Sequence, residues 1–272
     1  SLSYRNTDSV VRTSSGFDTN AFNVSATYGL PLSEYANARI GLGVEKLSLR
    51  TSGSSSVEVL DFVTANNDEY LNYELRTGVT YDSRDRTILP QSGLLERFSF
   101  DVTLPGSDLQ YFTAQLRHEQ YINLGKYFSL GMTGRLGYGA GYGGNDLPPY
   151  ENYFAGGFET VRGFSDNSLS PLDSFGSTYG GALQTVFQTE LILPTPLESN
   201  NKTTRFVAFF DIGNVFAKPS DFDVSQLRSS YGLAAYWFTP FLGVIKLSYA
   251  QPLKSFAGDR TDRFQLSFGT GF

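Results

Sequence analysis

Few residues in this chain have types and spacings that could do chemistry. A Ser–His or Asp–His mechanism needs a positioned imidazole, and the sequence holds one histidine, His118. That residue shares strand parity with Phe112, Ala114 and Leu116, low on its segment, and reads as an interfacial side chain without a chemical role. There is no cysteine, so disulfides and thiolate metal sites are excluded. One imidazole alone gives no support to a metal centre. Gly156 and Gly157 do not open a helix, as a phosphate-binding loop would require. What remains is a pair of carboxylates. Glu190 shares parity with Gln188 and opposes Leu191 and Leu193. Asp211 shares parity with Val207 and Gly213 and opposes Phe206, Ala208, Phe210 and Ile212. Both carboxylates point to the polar side of successive segments. Such a pair can do acid–base work or bind a cation, and a cation is the simpler partner.

The elements that must position these groups have a period of two. Leu71, Tyr73, Leu75, Thr77, Val79 and Tyr81 share one face, and Asn72, Glu74, Arg76, Gly78, Thr80 and Asp82 the other. The same alternation runs through Phe98–Leu104, Phe128–Tyr138 and Phe264–Phe272. Composition narrows the class. Charged residues are only 18% of 272, while Tyr (17), Phe (23) and Gly (28) are abundant; a disordered chain would show the reverse balance. No apolar run approaches the roughly 18 residues that a spanning helix needs. A soluble β-sandwich would carry frequent Lys and Glu on its outer face. Here the polar face is Ser, Thr, Asn, Gly and a few mixed charges, as a barrel lumen requires, and many segments reach the roughly 9–11 residues that cross a bilayer at a tilt. The net charge of −6 argues against nucleic acid as a partner. The expected fold is all-β, an antiparallel transmembrane β-barrel, since lipid admits no open β structure.

About twelve strands are expected, near residues 1–7, 20–30, 36–49, 69–83, 93–104, 109–122, 127–143, 181–193, 203–216, 227–238, 243–251 and 262–272. Short connections alternate with mostly longer ones; short turns face the periplasm and long loops the outside. Tyr28 and Tyr35, Tyr121 and Tyr127, and Trp237 with Phe238 flank the short turns, where an aromatic girdle belongs. Residues Ser56 to Asn67 form a short amphipathic helix with Val59, Leu60, Phe62 and Val63 on one face. The chain starts at Ser1 without a charged, then apolar, leader, so the expectation is a processed chain or a fragment.

The most informative stretch lies in the longest loop: Leu147-Pro-Pro-Tyr-Glu-Asn-Tyr-Phe-Ala-Gly-Gly, then Phe158-Glu-Thr-Val161-Arg162-Gly163-Phe164. It follows the seventh strand and resembles the signature loop of the BamA family of outer-membrane protein assembly factors. Asp82-Ser-Arg-Asp-Arg with Pro90-Gln-Ser-Gly93, Leu104-Pro-Gly-Ser-Asp108 and Glu190-Leu-Ile-Leu-Pro-Thr-Pro196 are similar to it too. So are Phe210-Asp211-Ile-Gly-Asn-Val215, Ser248-Tyr-Ala-Gln-Pro252 and the Phe-terminated last strand. The resemblance covers nearly the whole chain. It implies the C-terminal part, residues 1–272, of a sixteen-stranded barrel, with the periplasmic POTRA domains and first four strands absent.

The resemblance further implies that the Arg162 loop folds back into the lumen, where a guanidinium can grip Glu190 and Asp211 in a fork. In the last strand Phe264, Leu266, Phe268 and Phe272 should face lipid. Gly269 and Gly271 should weaken side-chain packing near its periplasmic end, and the strand is similar to the C-terminal signal of outer-membrane proteins. The implied activity is folding and insertion of other barrel proteins in the bacterial outer membrane, without covalent chemistry or cofactor. Implied partners are membrane lipid, nascent outer-membrane proteins, periplasmic chaperones and the lipoproteins of the assembly machine. Two further readings stand beside it. A superfamily relative could secrete a partner protein or help insert autotransporters, although Tyr150-Glu-Asn-Tyr-Phe-Ala-Gly-Gly favours assembly. A passive porin would use lumen charges such as Arg97, Asp101, Arg135 and Lys246.

Overall fold

Alternating side chains on a pleated backbone separate the two faces of every strand, and here the separation follows the sequence closely. A computed structural model describes residues 2–9, 16–194 and 203–269. The strands are β1 (Leu2–Ser9), β2 (Phe17–Pro31), β3 (Ala36–Thr51), β4 (Glu69–Asp82), β5 (Gly93–Thr103), β6 (Tyr111–Asn123) and β7 (Ser129–Gly141). They continue with the two-residue β8 (Gly163–Phe164), then β9 (Leu183–Leu193), β10 (Thr204–Phe216), β11 (Arg228–Thr239) and β12 (Gly243–Lys254). The two-residue β13 (Thr261–Asp262) and β14 (Phe264–Gly269) complete the set. Twelve of them form one antiparallel sheet in sequence order, β1–β7, β9–β12 and β14. The remaining two, β8 and β13, pair with each other. This is the up-and-down order expected of a barrel wall, and β1 and β14 are its outer strands among the described residues.

The outward face is apolar and open to lipid: Phe22, Val24, Leu42, Tyr73, Val79, Phe98, Leu116 and Phe210 are all exposed. The other face looks into the lumen and buries Asn23, Asn72, Glu74, Thr113, Glu119 and Asp211. No helix among the described residues is long and apolar enough to cross a membrane; the strands do the crossing. Tyr28, Tyr35, Tyr127 and Trp237 are exposed beside the short turns, and the rings of Tyr35 and Tyr81 lie 6.1 Å apart. Two of the expected girdle residues belong elsewhere. Tyr121 and Phe238 have inward parity and pack against the apolar cluster in the lumen. Their closeness to a turn does not override the period of two.

The helix α1 (Val57–Asn66) lies between β3 and β4. Val59 and Phe62 are buried against Leu47 and Leu49 of β3 and Tyr70 of β4, all of inward parity, so α1 lies over the outer mouth of the lumen. Leu60 is exposed instead of sharing that face, because its position is one residue past Val59 and rotates about 100° away. The expected strand bounds shift by a few residues: β2 begins at Phe17 and β12 runs to Lys254. The short turn 83–92 also folds inward. Ile88 and Leu89 pack against the lumen cluster, Arg84 bridges Asp82 and Glu119, and Arg205 donates to the Pro90 carbonyl. The lumen is therefore occupied from both ends.

Candidate functional site

The site is built from the loop that joins β7 to β9. Its segment Gly157–Phe164 enters the lumen and brings Arg162 against β9 and β10. Arg162 is 1% exposed and Asp211 0%. The guanidinium donates from Nε to Asp211 Oδ2 (2.7 Å) and from Nη2 to Asp211 Oδ1 (2.7 Å). Its Nη1 donates to Glu190 Oε1 (2.6 Å) and contacts the Tyr236 hydroxyl (3.0 Å). The backbone N–H of Arg162 adds a third bond to Asp211 Oδ2 (3.0 Å). This is bidentate recognition of a carboxylate by a planar fork, the geometry that a lysine cannot reproduce. Tyr236 Oη in turn donates to Glu190. The Phe209 ring lies 3.6 Å from the guanidinium carbon, so the cation is held by charge on its edge and by π density on its face.

Gly163 and Phe164 carry the loop onward to the last strand. Gly163 has φ +87°, a left-handed conformation that L side chains rarely adopt. A Cβ there would lie 3.0 Å from the Ala250 Cβ. The N–H of Gly163 donates to Gln265 Oε1 (3.1 Å), and Gln265 Nε2 donates to the Phe164 carbonyl (2.7 Å). The β8–β13 pairing sets Gly163 opposite Asp262 and Phe164 opposite Thr261. Val161 and Phe164 are fully buried with Ala155, Leu169, Val186 and Val215. Gly213 makes this possible on β10, since a Cβ there would meet the Thr185 carbonyl oxygen at 2.8 Å and Val161 Cγ2 at 3.0 Å.

Arg162, Glu190 and Asp211 are thus brought together, and Val161, Gly163 and Phe164 frame them. On β14, Phe264, Leu266 and Phe268 are exposed on the lipid face and Gly269 alternates with them on the other. Gly271 and Phe272 lie outside the described residues. Three participants escape a motif-based reading: Tyr236, Phe209 and Gln265. Each has inward parity on its strand, and that was the signal available. The arrangement has no open coordination position aimed at a substrate; every polar atom of the guanidinium fork is committed to a neighbour. Its chemistry is fastening.

A second lumen feature lies near the outer mouth. Glu151, in the loop after β7, accepts from the Tyr111 hydroxyl (3.4 Å). Withdrawal from water, with Glu45, Glu74 and Asp101 nearby, pushes its carboxyl up to about 8. A carboxyl whose folded value lies above its ordinary 4.5 favours folding fully below that ordinary value. The advantage is lost as pH rises from there through about 8. Unfolding temperature should therefore fall over this window, and Glu151→Gln should flatten the slope and be the more stable variant at pH 9. An unchanged slope would assign the pH dependence to other groups.

A twelve-stranded sheet with an apolar outward face and an arginine-fastened loop seated on its inner face is the wall of an outer-membrane β-barrel. The Omp85 superfamily domain matches residues 1–272, and the chain belongs to that superfamily. It is 31% identical to the outer membrane protein assembly factor BamA of Neisseria meningitidis serogroup B, over 89% of this chain and 35% of that protein. It is 24% identical to the BamA of Nitratidesulfovibrio vulgaris, over 94% of this chain and 32% of that protein. The structure of BamA from Haemophilus ducreyi lacking POTRA domains 1–3 superposes with a TM-score of 0.86. Identity there is 26%, over 97% of this chain and 57% of that one. The chain spans about a third of the length of the curated relatives it matches. It is a BamA-like C-terminal barrel, and its place is the bacterial outer membrane.

Proposed function

We propose that this chain is the membrane-embedded part of a protein that folds and inserts other β-barrel proteins into the outer membrane. The observation that carries this reading is the similarity to an outer membrane protein assembly factor over nearly nine-tenths of the chain. The lumen supports it. A pore needs an open path, and here the Arg162 loop enters from one end and the turn at residues 83–92 from the other.

The working element is the end of the sheet at β14. This strand ends the sheet among the described residues, with β12 as its one neighbour in the wall. An edge strand presents unpaired backbone groups, and an incoming chain can add to it by backbone pairing. No covalent step and no cofactor enters this scheme. The substrates are nascent outer-membrane proteins. The lipoproteins of the assembly machine and periplasmic chaperones act mainly through domains beyond this chain. Depleting the full-length protein should lower the amount of many unrelated barrel proteins in the outer membrane within a few generations. Unchanged levels would overturn the assignment, and loss of a single secreted partner would instead indicate a dedicated translocator.

A further inference from the structure

The lipid face of β5 and β6 carries an unexpected pair. Glu96 and His118 are directly opposite in the ladder, both with outward parity, and their side chains are 40% and 35% exposed. Nδ1 of His118 lies 2.6 Å from Glu96 Oε1. The other outward residues of β5 are Leu94, Phe98, Phe100 and Val102. Ionisable groups facing lipid are costly and call for a functional explanation. Depth supplies part of one. Glu96 pairs across the next ladder with Tyr81, whose ring packs beside Tyr35 at the short turn. That is the level of the periplasmic girdle, where headgroups lie.

From His118 a shallow, apolar groove of about 260 Å³ runs over the wall toward the bilayer centre, between Leu116, Leu136, Phe187 and Ile212. Its floor is Gly134, the partner of His118 on β7. A Cβ added at Gly134 would meet only the His118 Cβ, at 3.8 Å, so the dent comes from a missing side chain and not from crowding. With the imidazole Nδ1–H donating to Oε1, Glu96 Oε2 and His118 Nε2 remain as acceptors without a protein partner among the described residues. Two acceptors, one of them anionic, suit a cation that carries N–H donors.

We propose that Glu96 and His118 seat the primary ammonium headgroup of a periplasmic-leaflet phospholipid, with one acyl chain lying in the groove over Gly134. The inference goes beyond the assembly function and does not depend on it. A phosphatidylcholine headgroup has the same charge but no N–H to donate, and a phosphatidylglycerol headgroup has no cation. The full-length protein, equilibrated in micelles with equal amounts of phosphatidylethanolamine, phosphatidylcholine and phosphatidylglycerol, can be examined by native mass spectrometry. Phosphatidylethanolamine should be retained about tenfold over the other two, equivalent to about 1.4 kcal/mol. Glu96→Gln should erase the preference, and Gly134→Leu should reduce retention by filling the groove, both with unchanged heat-modifiability on gels. His118→Leu serves as a second test of the headgroup seat if Glu96→Gln folds poorly, and it too should erase the preference. Equal retention of the three lipids, a preference for phosphatidylglycerol, or a preference that survives Glu96→Gln would each overturn the proposal.

Discussion

Replacing Arg162 by alanine should lower the free energy of unfolding by about 3–5 kcal/mol, the usual effect of removing one partner from a buried ion cluster. The reason is the desolvated carboxylates left behind. Asp211 is fully buried and receives three hydrogen bonds from Arg162, while Glu190 keeps only Tyr236. Arg162→Lys retains the charge but not the fork, and should fall between wild type and alanine. Arg162→Glu places a third carboxylate in the cluster and should be the most damaging. Unfolding temperatures read from heat-modifiability on gels give the order directly. The pairing also makes a stricter demand. Asp211→Ala combined with Arg162→Ala should cost well under the sum of the two single changes, because each removes the same contact. Additive losses, or an Arg162→Ala protein as stable as wild type, would show that the cluster does not fasten the loop.

The second large effect is expected at Gly163. A valine there would have to hold φ near +87°, which costs an L residue about 1–2 kcal/mol. Its Cβ would also press on Ala250, adding about 1–3 kcal/mol of overpacking. The combined loss of about 2–5 kcal/mol should appear together with faster proteolysis of the loop between β7 and β9. Gln265→Leu removes the partner of Gly163 without backbone strain, and should loosen the loop at roughly 1–3 kcal/mol. Normal protease resistance in both variants would mean that the loop is held by Arg162 alone.

The strand pattern makes most of the wall legible in the sequence. Parity placed Glu190 and Asp211 inward, and the motif around Arg162 supplied their cation. Parity would also have placed Gln265, Tyr236 and Tyr121 in the lumen. Tyr121 stands beside a turn, which points to the girdle, but proximity is a weaker guide than period. The hydrophobicity of Leu60 points to the buried face of α1, but its angular position turns it to the exposed side. The inward fold of residues 83–92 had no local signal at all. Asp, Ser, Pro and Gly announce a turn, but whether a turn lies flat or enters the lumen depends on Arg205, Glu119 and Tyr121, which come from strands far along the chain.

The links between the loop and the wall have one consequence for the order of events during folding. Hairpin neighbours such as β9 and β10 begin to pair across 13 positions, from Leu193 to Phe206, whereas Gly163 reaches Gln265 across 102. Contacts of such separation carry the larger loop-closure entropy and form late. The loop cannot be secured until β9, β10 and finally β14 have arrived. Its seating is therefore a completion step, and a chain stalled before its last strand would present the arginine, its carboxylates and an unfilled lumen together, marking it as unfinished.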